Sequence, residues 1–178
     1  EALKKALRSL DTDMDAHTTP SEIRMILSRP TDERFHTLFD AVRAGFTVEE
    51  ISELTHISPF FIEKVKNVVD MEKRLRESAG KEDIAKARRY GFCASEIASL
   101  TGLSPGQVRE MTGDPTYKIV DTCAAEFPAR TPYFYSTWDT ECEIPRTDSP
   151  KVLILGSGPN RIGQGIEFDY CTVHAVKA

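Results

Sequence analysis

Apolar residues recur at helical spacing through most of the first 112 residues of the chain. Near the N-terminus, Leu3, Leu7 and Leu10 lie three or four positions apart and so share one face of a predicted amphipathic helix. Two further stretches follow the same rule: Phe61, Val65, Val68 and Leu75 in one, and Ile97, Leu100 and Leu103 around the other. The pattern predicts a mainly α-helical region in which these side chains form the core.

Start and stop signals divide this region into separate helices. Ser104–Gln107 has Ser at the N-cap, Pro at the first helical position and Gln at the third. Thr47–Glu50 and Thr19–Glu22 follow the same logic. Gly45 and Gly91 are each placed to end a helix in the left-handed conformation.

The helical region contains an internal duplication. A shift of 46 residues lays Ala41–Val65 over Ala87–Met111. The identical pairs are Arg43/Arg89, Gly45/Gly91, Phe46/Phe92, Glu50/Glu96, Ile51/Ile97, Leu54/Leu100, Thr55/Thr101, Ser58/Ser104 and Pro59/Pro105. Each copy reads as a helix ending at glycine, a short helix, and a third helix behind Ser-Pro. We therefore expect a small all-α domain between about Thr18 and Thr112.

The end of the second copy also resembles the helix-turn-helix of DNA-binding proteins. Ser95–Met111 offers a short helix, a glycine turn and a second helix, and Ser104–Glu110 would then lie in the major groove. Recognition of DNA requires an electropositive face, but the second helix offers only Arg109 against Glu110. A compact helical hairpin is favoured, and DNA binding is the alternative.

Beyond Thr112 the pattern changes to β-branched and aromatic residues. Tyr117–Phe127 and Thr131–Trp138 are expected to be extended, with prolines nearby that disfavour helix. The aromatic side chains expected to pack on another domain are Tyr133, Tyr135 and Trp138. The polar, proline-bounded stretch Glu141–Pro150 predicts a linker.

The last 28 residues, from Lys151, begin like a nucleotide-binding unit. Val152–Leu155 is a continuous apolar run typical of a buried parallel strand, and Gly156 and Gly158 follow it. The dinucleotide fingerprint needs its third glycine where Arg161 stands, so an NAD site fits poorly. A parallel sheet needs several such units, and we expect the apolar run to be disordered or captured by a neighbouring chain.

Composition narrows the possible functions. The 178 residues are 40% hydrophobic and 29% charged, and the net charge of -5 does not favour nucleic acid or anionic membranes. No apolar run is long enough to span a bilayer. The four cysteines are widely spaced, which indicates reduced thiols and neither a zinc site nor a disulfide framework: Cys93, Cys123, Cys142 and Cys171. The N-terminus, without Met, looks like the tail of an upstream element.

Three strings resemble the large subunit of carbamoyl phosphate synthetase: Val120–Phe127, Tyr133–Trp138 and above all Ile154–Cys171. Ala2–Leu10 is similar to the last helix of that subunit's first ATP-grasp half. The resemblance implies three parts: residues 1–12 ending the first half, residues 13–148 forming a helical oligomerisation domain with extended segments, and residues 149–178 starting the second half. The implied fold class is mainly α, a duplicated helical domain followed by extended segments and the first strand-turn-helix of an α/β pre-ATP-grasp domain.

The resemblance implies a ligase for the parent enzyme. Such enzymes make carbamoyl phosphate from bicarbonate, glutamine-derived ammonia and two ATP, for arginine and pyrimidine synthesis. ATP and Mg²⁺ or Mn²⁺ would bind the parent's later lobes, so this segment should hold no cofactor, metal or catalytic residue and be inactive alone. Implied partners are a small glutaminase subunit or domain and a second copy of the helical domain, with no nucleic acid and no membrane. The implied location is cytoplasmic, or mitochondrial in some eukaryotic relatives.

Six residues of the matched loop are implied to line the passage through which carbamate arrives: Asn160, Arg161, Gly163, Gln164, Gly165 and Glu167. A guanidinium and the N–H groups of a helix start stabilise a small anion, and glycines keep a passage open. The alternative is that Arg161 and Glu167 pair only to hold the turn together. For self-association the candidates are Phe35, Phe60 and Phe61, each of which could equally belong to the core.

Overall fold

The computed structural model describes residues 1–9, 19–77, 79–145, 147–156 and 167–178, the side chains of residues 167–169 excepted. These residues form two compact units, Glu1–Cys142 and Glu143–Ala178. Each unit has its own internal contacts.

The first unit is mainly helical, as predicted. Its described elements are α1 (Ala2–Arg8), α2 (Pro20–Leu27), α3 (Arg34–Arg43), α4 (Val48–Thr55), α5 (Pro59–Glu77), α6 (Lys81–Arg89), α7 (Ala94–Thr101), α8 (Pro105–Thr112), β1 (Thr116–Ile119) and β2 (Phe134–Thr137). Helices α3 to α5 form the first copy of the duplication and α6 to α8 the second.

The duplication in sequence is a duplication in structure. Helices α4 and α7 begin and end at equivalent positions, and α5 and α8 begin at equivalent prolines. The glycine turns also match, because Gly45 and Gly91 have φ values of 91° and 94°. In both turns the following phenylalanine N–H donates to a carbonyl five residues back, Phe46 to Ala41 and Phe92 to Ala87. These are Schellman caps, for which glycine is the preferred residue.

The helix starts confirm two of the three predicted caps. The Thr47 hydroxyl accepts from the Glu50 N–H at 3.1 Å, and the Glu50 carboxylate accepts from the Thr47 N–H at 2.9 Å. Ser104 and Gln107 make the same exchange. Thr19 differs, since its hydroxyl donates to the Glu22 carboxylate and makes no bond to the helix backbone.

The core lies between α2 and the helices of the two copies. Its fully buried large side chains include Ile23, Leu27, Ile51, Ile62, Val65, Leu75, Ile84, Phe92, Ile97 and Val108. The predicted core positions Val68, Leu75 and Ile97 are buried, and Leu100 and Leu103 pack against the core from its edge. Phe61 is 61% exposed, so its assignment to the core was wrong. The inward position in the first turn of α5 belongs instead to Ile62, which is fully buried in line with Val65 and Val69, and Phe61 lies about 100° around the helix from it.

A two-stranded antiparallel hairpin follows the second copy. Strands β1 and β2 pair with Thr116 opposite Thr137 and Ile119 opposite Phe134. Trp138, just after β2, stacks on Arg88 at 4.1 Å. It therefore packs on the helical unit, contrary to the prediction that it packs on another domain, because the hairpin folds back on α6.

The second unit contains the predicted helix without the predicted strand. Helix α9 spans Glu167–Lys177, but residues 151–156 have no strand conformation. Val152, Leu153 and Leu155 are 85–88% exposed. A single strand has no partner for its N–H and C=O groups, which explains the difference. Gly156 still approaches α9 closely, because a Cβ there would lie 3.1 Å from the Thr172 hydroxyl.

Candidate functional site

The predicted carbamate passage falls mostly outside the described part of the chain. Asn160, Arg161, Gly163, Gln164 and Gly165 are not among the described residues. Glu167 is the first residue of α9, but its side chain is also outside them. The passage therefore stays a prediction, and the functional geometry that can be described belongs to the first unit.

Helix α1 docks on the second copy of the repeat at a glycine. A Cβ on Gly91 would lie 2.8 Å from the Glu1 carbonyl oxygen and 3.0 Å from Lys4 Cβ. The equivalent Gly45 has no atom within 4 Å of a Cβ position. Gly91 thus does more than end α6, since its missing side chain also admits the backbone of α1.

Ion pairs and hydrogen bonds also hold α1 on the second copy. The Lys4 ammonium lies 2.7 Å from the Glu96 carboxylate and 3.9 Å above the Phe92 ring. The Arg8 guanidinium donates to Glu96 at 3.2 Å and to the carbonyl of Gly91. Two cations of α1 therefore converge on one carboxylate of α7, an arrangement that no spacing in the sequence indicates.

Glu96 is the electrostatic centre of this junction. Burial would raise the pKa of its carboxyl group, but hydrogen bonds from Lys4 and from the Cys93 N–H, together with the charge of Lys4, outweigh burial and lower the pKa. The Cys93 N–H bond, at 2.6 Å, also caps α7, as Glu50 caps α4. One carboxylate thus starts a helix of the repeat and holds the incoming helix α1.

The hairpin is joined to α1 and to the second copy. The Thr137 hydroxyl donates to the Glu1 carboxylate at 2.6 Å, and the Lys5 ammonium donates to the Ser136 carbonyl. With the Arg88–Trp138 stack, these contacts fix the hairpin beside α6 and α1. Helix α1 and the hairpin are therefore both attached to the second copy, whereas α2 packs on α3 and α4 of the first.

The first copy holds α2, because the Arg24 guanidinium lies 3.4 Å from the Glu50 carboxylate and 4.7 Å above the Phe46 ring, and it also exposes aromatic side chains. Arg43 binds Glu72 through two hydrogen bonds, of 3.0 and 3.1 Å, which join α3 to α5. At the start of α5, Phe60 and Phe61 are 57% and 61% exposed, with their ring centroids 5.3 Å apart. Phe35 is only 37% exposed, and its ring meets the Phe39 ring edge-on, so it belongs to the margin of the core.

Other kinds of site find little support in the described residues. Among them there is no group of three or more His, Cys, Asp or Glu placed to hold a metal ion. The same residues contain no helix that is long and apolar enough to cross a membrane. The cysteines Cys93, Cys123, Cys142 and Cys171 are free thiols. On α8, Arg109 and Glu110 are both exposed, so this helix presents no basic face to DNA.

Two family models match the chain in succession. The model for the carbamoyl-phosphate synthetase large chain oligomerisation domain matches residues 1–115, which hold α1 and both copies of the repeat. The model for the carbamoyl phosphate synthase preATP-grasp domain matches residues 148–178.

Curated relatives match the whole chain. Carbamoyl phosphate synthase large chains of Methanoculleus marisnigri and Methanoregula boonei are 65% and 66% identical over 178 residues. That of Methanosarcina acetivorans is 49% identical over 186 residues. In each case all of this chain is covered, and it spans 17% of the relative's length. The chain belongs to the carbamoyl-phosphate synthetase large chain family and carries its oligomerisation domain.

Proposed function

We propose that this chain is the linking and self-associating segment of a carbamoyl phosphate synthase large chain. The observation that carries the proposal is the attachment of both α1 and the hairpin to the second copy of the repeat. Helix α1 is held at Gly91 and Glu96, and the hairpin is held at Arg88. The first copy holds α2 through Arg24, which contacts Glu50 and Phe46, but the start of its helix α5 leaves Phe60 and Phe61 exposed for association with another chain.

The parent enzyme is proposed to be an ATP-dependent ligase that makes carbamoyl phosphate from bicarbonate, glutamine-derived ammonia and two ATP. The names of the relatives support this activity. ATP and Mg²⁺ or Mn²⁺ would bind parts of the parent outside this chain, and a small glutaminase subunit or domain would deliver the ammonia. A cytoplasmic location and a role in arginine and pyrimidine synthesis belong to the same proposal.

The loop at residues 160–167 is proposed to line the route of carbamate. The chemistry of the side chains supports it, because a guanidinium at Arg161 attracts a small anion and a carboxylate at Glu167 can accept from its amine. Glycines at positions 163 and 165 would leave the route unobstructed. No feature of the described residues favours the alternative of DNA binding.

A chimeric large chain tests the proposal. This chain would replace its counterpart in the 65%-identical large chain of Methanoculleus marisnigri, and carbamoyl phosphate formation from ammonia, bicarbonate and ATP would be measured. We expect activity within a few-fold of the unmodified large chain, because the segment links the halves and does no chemistry. A folded chimera that hydrolyses ATP at the normal rate but forms no carbamoyl phosphate would contradict the linking role.

A further inference from the structure

Comparison of the two copies shows which residues the fold requires at the start of the third helix of each copy. Helices α5 and α8 begin at equivalent positions behind Ser-Pro. The two residues after the proline are Phe60 and Phe61 in the first copy, and Gly106 and Gln107 in the second. Since α8 forms with Gly and Gln, the packing of the repeat does not require aromatic rings at these positions.

The aromatic residues also remove a stabilising contact. In α8, Gln107 accepts from the Ser104 N–H at 2.8 Å and completes the reciprocal cap. Phe61 stands at that position of α5 and has no acceptor, so this half of the cap is missing. The first copy thus lacks half of the cap and exposes two large rings to water. Both features lower the stability of the folded chain when it is alone.

We propose that Phe60 and Phe61, with Lys64, form the contact between two copies of this chain; we refer to these three residues as the Phe60–Phe61 patch. The inference rests on the proposed function and names the surface that performs it. A second copy is the occupant because the chain carries a domain of the oligomerisation family, and because Phe60 and Phe61 stay 57% and 61% exposed although α1 and α2 both pack on the repeat.

The charges around the patch suit a two-fold contact. Lys64 Nζ lies 4.6 Å above the Phe60 ring, and the neighbouring Glu63 is exposed on the same turn. A two-fold interface joins one surface to itself, so it requires opposite charges on that single surface. Glu63 of each copy can face Lys64 of the other across the paired rings. Buried aromatic anchors with a charged margin are typical of association surfaces.

The experiment compares the chain with the double variant Phe60→Gln/Phe61→Gln by sedimentation velocity across a concentration series. We expect the dimer dissociation constant to rise at least about tenfold, since two anchors are lost from each copy. Met25→Gln is the matched control, because Met25 is 55% exposed on α2, and it should change the constant by less than about twofold. Phe61→Gln places at the start of α5 the residue type that completes the cap of α8. The urea concentration at the unfolding midpoint is therefore not expected to fall.

The outcomes separate the patch from the proposed function. A double variant that dimerises as tightly as the unchanged chain overturns the patch, while self-association itself stands. An unchanged chain that stays monomeric at every concentration overturns both. A benzophenone amino acid at position 60 should cross-link to residues 59–77 of the second copy, and a cross-link confined to the hairpin would overturn the two-fold arrangement.

Discussion

Single residues at equivalent positions of the two copies show where the chain is strained. His56 ends α4 with φ 58° and ψ 21°, in the left-handed region that side chains disfavour. Its equivalent Gly102 ends α7 with φ 76°. Both turns are otherwise alike, because the threonine before each donates its hydroxyl to a carbonyl four residues back. The first copy therefore carries a strain that the second copy avoids with glycine.

We expect His56→Gly to raise the free energy of unfolding by about 0.5–1 kcal/mol, since relief of the left-handed strain exceeds the added freedom of glycine in the unfolded chain. Urea unfolding followed by circular dichroism measures the change. Gly102→His is the reverse control and should lose a similar amount, because no atom lies within 4 Å of a Cβ position there. A His56→Gly variant less stable than the original would show that the imidazole makes a contact that outweighs the strain.

The elements were largely predictable because their signals are local. Repeated caps, glycine turns and 3.6-residue periodicity predicted the duplicated helices, and the described α4, α5 and α8 begin at the predicted residues. Two kinds of feature were not predictable. Exposure of Phe61 depends on which side of α5 its neighbours cover, since the adjacent Ile62 is buried instead, and the docking of α1 depends on pairs such as Lys4 and Glu96, which lie far apart in sequence.

Docking of α1 is tested by matched glycine substitutions. Gly91→Ala and Gly45→Ala should each lose about 1 kcal/mol from the positive φ angle. Gly91→Ala should lose about 1–3 kcal/mol more, because its Cβ overlaps the Glu1 carbonyl and α1 must move. Amide hydrogen exchange of residues 2–8 should accelerate only in Gly91→Ala. Equal losses in the two variants would mean that α1 does not depend on the close approach at Gly91.

The same junction should respond to pH through Glu96. Its pKa is lower in the folded chain, where Lys4 and the Cys93 N–H overcome the effect of burial. The ionised carboxylate therefore contributes stability above the unfolded pKa of about 4.3, and that contribution is lost as pH falls through the lower folded pKa.

Unfolding free energies between pH 6 and pH 3 test this sign. The unchanged chain should lose more stability over this range than Glu96→Gln, in which the titrating group is absent and the amide can still accept the capping bond. Glu53→Gln, at an exposed position of α4, is the control and should follow the unchanged chain. Parallel curves for Glu96→Gln and the unchanged chain would contradict the assigned role of Glu96.

At the scale of the whole molecule, the two copies of the repeat make different contacts and expose different side chains. The second copy holds α1 and the hairpin through Gly91, Glu96 and Arg88. The first copy holds α2 through Glu50, joins its own helices through Arg43 and Glu72, and presents exposed phenylalanines. Sequence predicted the duplication and the family, but only the contacts show this division, because both copies have the same local signals. The loop at residues 160–167 remains a prediction from resemblance alone.

The solution mass of the chain, measured by light scattering across a dilution series, tests the central claim that the helical segment self-associates. We expect a mass of about twice the 19.9 kDa of one chain at high concentration, falling toward that of one chain on dilution. A mass of one chain at every concentration would contradict the claim, and would reduce the segment to a spacer between the two halves of the synthase.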